Sequence, residues 1–167
     1  MDKQYYPVEI EEKWSKIWSE KVLSNKDSDT SFSQVIPPPN VTGTLHMGHS
    51  FQYAIMDFYT RYHHMSGKDA HWQVGADHAG IATQMVVENN LAKKDVTRKE
   101  LGREKFLEEV WSWKDYSEEK ITSQIKRLGC SVDWNKYRFT LDDGCNDAVI
   151  KAFVELHRRN KISRGYR

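Results

Sequence analysis

The feature that most restricts this chain is a stretch in which a strand-like pattern meets three prolines and reappears as a helical one. Phe32-Ser33-Gln34-Val35-Ile36 alternates apolar and polar residues and then runs into Pro37, Pro38 and Pro39. Proline can neither continue a β-ladder nor sit inside a helix, so the pattern predicts a short strand stopped by a rigid turn. Gly43 and Gly48 flank the rest of that turn. Beyond it Phe51, Ile55, Phe58, Tyr62 and Met65 recur at helical spacing until Gly67, a strong helical stripe.

The same order then repeats. His71-Trp72-Gln73-Val74 reads as a second short strand closed by Gly75, and Gly80 precedes another helix with Met85, Val86 and Leu91 as candidates for burial. Strand, glycine-containing turn, helix, strand, turn, helix is the sequence form of a right-handed parallel βαβ unit. The fold class is therefore α/β, with a parallel βαβ unit over residues 31–95.

The flanks are helical. Ile10, Trp14, Ile17 and Trp18 predict an amphipathic helix ending near Asn25, so residues 1–30 form a helix and a polar loop. Residues 96–167 form a mainly helical segment that packs on the sheet as an insertion or lid. Thr97-Arg98-Lys99-Glu100 is a capping box opening a charged helix toward Trp113, with Trp111 and Trp113 as packing residues. Ile121, Ile125 and Leu128 mark another helix ended by Gly129; Val149, Ala152, Phe153 and Leu156 mark a last one.

Charge and cysteine usage narrow the class. A formal net charge of +1 leaves no basic footprint for nucleic acid, and the cations Arg158, Arg159, Lys161, Arg164 and Arg167 read as a solvated face. Cys130 and Cys145 have no CxxC spacing and follow no secretory segment. No run approaches the roughly 18 apolar residues of a membrane helix. The expectation is a soluble, cytoplasmic protein with reduced thiols.

The chemistry concentrates at the two turns. Gly48 falls where a helix begins, and free backbone amides with the positive end of the helix dipole bind phosphate there. Glycine also permits close approach of a ligand. His46 and His49 lie on one face of the first helical turn, each able to donate to a phosphate oxygen. The second turn, Gly75-Ala76-Asp77-His78-Ala79-Gly80, puts the Asp77 carboxylate at a strand carboxyl end, facing the same crevice. It is placed to hold a cation beside a nucleotide, either an amino-acid ammonium or Mg²⁺. Three other readings stay open on the residues alone. One is a nucleotidyltransferase of small substrates with the same His-x-Gly-His chemistry. Another is a metal hydrolase using His46, His49, Asp77 and His78, and the last a non-catalytic RNA-binding module.

At these residues the sequence resembles the class I aminoacyl-tRNA synthetases. His46-Met47-Gly48-His49 is similar to their HIGH motif. Pro37-Pro38-Pro39-Asn40-Val41-Thr42-Gly43 and the run from Gly75 to Gln84 resemble the valyl branch in particular. Weaker similarity runs through Trp111-Ser112-Trp113-Lys114 and from Arg127 to Trp134. One departure is Ala76, where the valyl pattern often has threonine; its side chain is expected to point away from the ligand. The resemblance implies that residues 31–95 are the first half of a Rossmann-type (HUP-like) parallel-sheet nucleotide-binding domain. It also implies ATP-dependent activation of L-valine to valyl-adenylate, then transfer to tRNA(Val), with Mg²⁺ accompanying ATP. By the same resemblance Thr42, His46, Gly48 and His49 bind ATP, with His46 and His49 as catalytic residues. Pro37, Pro38, Asn40 and Asp77 bind valine, and no metal is bound by side chains.

The family's lysine-rich KMSKS loop, editing domain and anticodon-binding helices are not in these residues. The chain is thus expected to be a partial catalytic domain with weak binding and negligible charging by itself. A half sheet leaves an edge strand and an apolar face uncovered, so self-association is expected of it, whereas the full-length enzyme is expected to be monomeric.

Overall fold

A computed structural model describes residues 4–19 and 27–166. The elements run α1 (Pro7–Ser19), β1 (Ser31–Val35), α2 (Met47–Met65), β2 (Asp69–Gln73), β3 (Gly75–Ala76), α3 (Gly80–Ala92), α4 (Arg98–Leu101), α5 (Arg103–Arg127), a 3-10 turn (Trp134–Lys136), β4 (Arg138–Phe139) and α6 (Asp143–Arg158). The expected end of the first helix near Asn25 lies outside the described residues. No helix among the described residues is long and apolar enough to cross a membrane.

The βαβ unit is present. β1 and β2 pair in parallel across α2, in register from Ser31 opposite Asp69 to Val35 opposite Gln73. One more ladder bond follows, Ile36 N to Gln73 O at 2.9 Å. Pro37, Pro38 and Pro39 then supply no N–H, and the regular ladder stops. Pairing resumes once the chain has donors again: Asp77 N donates to Pro39 O (2.8 Å) and Val41 N to Asp77 O (3.0 Å). On its other side β3 pairs in parallel with β4. Gly75 has to be glycine there, because a Cβ would run into the backbone carbonyl of Arg138.

Helix α2 forms where its stripe predicts it, yet that stripe is not the buried face. Phe51 is 71% and Met65 80% exposed, and Ile55, Phe58 and Tyr62 are exposed too. The face on the sheet carries Tyr53, Met56 and Thr60, with Tyr53 and Thr60 at 0% exposure. A polar contact sets the rotation of the helix: Gln34 Nε2 donates to Met56 O and to Thr60 Oγ1, both at 2.6 Å. Tyr53 meets Trp72 edge-on at 6.3 Å between ring centres. Rotating the apolar stripe inward would strand those polar groups.

Two other helices differ from expectation. In α3 the buried residues are Thr83, Val87 and Leu91, while Met85 is exposed and Val86 half-buried. The capping box at Thr97 and Glu100 exists, but α4 lasts one turn before Gly102 breaks it at φ 79°. A single 25-residue helix, α5, then spans what the sequence divides into two. Nothing between Trp113 and Ile121 interrupts it, since neither glycine nor proline occurs there. Ile121 and Ile125 bury with Ile36, Trp72 and Val74 in one core. Burial of each isoleucine contributes about 1.5–3 kcal/mol, and it fixes α5 beside the proline turn. Helix α6 buries none of its residues.

Candidate functional site

The first turn is built by a capping arrangement made of two histidines. His46 is the N-cap of α2, in extended conformation. Its Nδ1 accepts from Gly48 N (3.1 Å), and His49 Nδ1 accepts in return from His46 N (3.2 Å). The two rings stand 3.9 Å apart between centres. With both Nδ1 atoms accepting, each neutral ring carries its proton on Nε2. The cap therefore leaves two Nε2–H donors at the amino end of a 19-residue helix, where an anion is favoured. Burial, with His46 second, lowers the pKa of His49 and favours this neutral, accepting form. Gly48 serves the same geometry, since a Cβ on it would lie 2.9 Å from His46 Cε1 and 3.0 Å from Nδ1. The glycine makes room for the histidine ring.

The loop leading into this cap is held by α5. Trp113 Nε1 donates to Val41 O (3.0 Å), Ser117 Oγ to Gly43 O (2.9 Å), and Leu45 N donates to Gln124 Oε1 (2.9 Å). Every second residue of the loop is thus tied to one face of one helix. Thr42, between two of those ties, is half-buried. Pro37 and Pro38 are exposed while Pro39 is buried.

The second turn abuts the first through an isolated parallel bridge between Asn40 and Asp77. Asn40 and Asp77, assigned to one ligand in the sequence, are thereby adjacent. Asp77 Oδ1 accepts from Thr140 Oγ1 (2.8 Å) and, at the longer 3.3 Å, from Ala79 N. Ala79 takes φ 45°, a left-handed conformation, and opens α3 without a side-chain cap. Ala76 is fully buried in the core, so its side chain points away from the crevice, and a threonine hydroxyl there would need a partner inside apolar packing.

Thr140 and the α5 side chains are the residues sequence reasoning missed. Thr140 follows a two-residue strand, too short to carry a period. Trp113, Ser117, Ile121 and Gln124 share one helical face, and that spacing was a usable signal. Among the described residues no group of three or more His, Cys, Asp or Glu could hold a metal ion. The quartet His46, His49, Asp77 and His78 thus does not assemble as a metal-hydrolase centre.

The family model for "tRNA synthetases class I (I, L, M and V)" matches residues 9–167. The chain is 56% identical to a valine–tRNA ligase of Acinetobacter baylyi over 98% of its own length and 17% of the relative's. It is 52% identical to the enzyme of that name from Legionella pneumophila and 49% to that from Francisella tularensis, covering all of this chain and 18% of each relative. In three dimensions it resembles LeuRS of Agrobacterium radiobacter K84, solved as a ternary complex with tRNA and LeuAMS. The TM-score is 0.71 at 21% identity, over 94% of this chain and 19% of that one. A cap of two histidines on a βαβ unit, matched over nearly the whole chain by that family's model, makes this chain a member of the class I tRNA synthetases.

Proposed function

We propose that this chain supplies the opening part of the catalytic domain of a valine–tRNA ligase, carrying the sites for ATP and L-valine. The observation that carries the reading is the bridge between Asn40 and Asp77, which sets the two turns side by side at the ends of parallel strands. Asp77 binds the valine ammonium, with Asn40 beside it and Pro37 and Pro38 flanking the isopropyl group. Their exposure suits a wall completed by residues beyond this chain. ATP lies over the amino end of α2, where Thr42, His46, Gly48 and His49 meet it.

The valine carboxylate attacks the α-phosphorus, valyl-adenylate forms and pyrophosphate leaves. As charge builds on the phosphate oxygens, the Nε2–H donors of His46 and His49 stabilise it without rearranging, because the reciprocal cap already fixes both rings. Mg²⁺ accompanying ATP would supply charge neutralisation at the phosphates. Transfer to tRNA(Val) belongs to the complete enzyme, and a cytoplasmic setting fits the free thiols of Cys130 and Cys145.

The test is a chimera in which this chain replaces the matching stretch of the Acinetobacter baylyi relative. Valine-dependent exchange of label between pyrophosphate and ATP, well above that with isoleucine or leucine, is expected. A folded chimera that exchanges equally with all three, or with none, would contradict the assignment.

A further inference from the structure

At the second turn Asp77 is joined to two residues, His78 and Thr140, that the assigned chemistry does not use. Thr140 Oγ1 donates to Asp77 Oδ1 at 2.8 Å. The same oxygen stands 2.9 Å from His78 N and 2.6 Å from His78 Nδ1. A hydroxyl has one proton, and here it goes to the carboxylate. Both His78 groups must then donate to the threonine oxygen, which fixes His78 with its proton on Nδ1. That is the opposite tautomer from His46 and His49. All the hydrogen bonds to Asp77 fall on Oδ1; among the described residues none falls on Oδ2.

We propose that Thr140 is a positioning residue for amino-acid binding: it holds Asp77 by one oxygen, backed by His78, so that the other oxygen is presented to the substrate ammonium. This rests on the assignment of Asp77 to valine. A carboxylate on a freely turning side chain would lose orientation on binding. One clamped through Oδ1 is already aimed. Thr140 itself reaches this position because β4 pairs with β3 in parallel, and Thr140 N donates to Ala76 O at 3.1 Å. The clamp therefore ties Asp77, just after β3, to the residue that follows β4.

The experiment uses the chimera described above with Thr140→Val, which keeps the shape and removes the hydroxyl, and Thr140→Ser, which keeps the hydroxyl. Pyrophosphate exchange is measured against both valine and ATP, with circular dichroism checking the fold. The expected result is a KM for valine raised roughly tenfold or more in the valine variant, with the KM for ATP within about twofold and the serine variant close to the parent. Equal rises in both KM values, failure of serine to rescue, or a valine variant indistinguishable from the parent would overturn the proposal. A parent chimera with no valine-dependent exchange would overturn the underlying assignment to valine as well, so the two failures are told apart.

Discussion

Substituting Ser117 by alanine tests whether α5 holds the loop that leads into α2. Ser117 is 1% exposed, and its hydroxyl donates to Gly43 O at 2.9 Å. Removing it deletes one hydrogen bond and leaves a carbonyl without that donor inside the α5–loop contact, a loss of about 1–3 kcal/mol. Alanine is the better helix former and returns up to ~0.5 kcal/mol. The net loss of about 0.5–3 kcal/mol lowers Tm by roughly 1–12 °C for a chain of this size. Ser112→Ala is the control, because Ser112 lies on the same helix, is exposed, and its hydroxyl makes no hydrogen bond with the described residues. It is expected to leave Tm unchanged or slightly higher. Thermal unfolding followed by circular dichroism gives both values. If Ser117→Ala and Ser112→Ala unfold within a degree of each other, the tie to Gly43 does not hold the loop.

Gly48→Ala is expected to push the His46 ring off its cap, costing about 1 kcal/mol of helix stability. It should also lower kcat/KM for ATP at least about tenfold in the chimera's exchange assay. His49 gives the chain a pH dependence with a defined sign. Its pKa is lowered in the fold from 6.5, so the unfolded chain binds the proton more readily. The stabilisation is complete above about pH 6.5 and is lost as pH falls through the lowered value. Tm measured from pH 7.5 down to 5 should fall less in His49→Gln than in the parent, and equal slopes would count against it. Burial pushes the Cys130 thiol up to about 12, so iodoacetamide at pH 8 should leave Cys130 unmodified until the chain unfolds, as read by mass spectrometry.

Much of the site was legible because its chemistry is local. Three prolines, two glycines and two histidines in thirteen residues specify a strand end, a turn and a capped helix start, and the structure builds them in that order. The orientation of α2 was not legible. Its sequence carries an apolar stripe at 51, 55, 58, 62 and 65 and a second face at 53, 56 and 60, and Gln34, on another element, selects between them. Periodicity finds a helix, but which face turns inward is a tertiary choice. The unbroken course of α5 was hidden for a related reason: its pattern suggested two apolar patches, and only the core shows that one continuous helix serves both. Thr140 lay beyond reach because its partner Asp77 is distant in sequence and the strand that aligns them is two residues long.

The most direct measurement is a crystal structure of the chimera with a non-hydrolysable analogue of valyl-adenylate. The analogue's ammonium is expected within hydrogen-bond distance of the Asp77 carboxylate, on the oxygen that Thr140 leaves open. Its phosphate is expected against the amino end of α2, facing Nε2 of His46 and His49. An analogue bound with its ammonium away from Asp77, or with its phosphate away from the two-histidine cap, would contradict this placement.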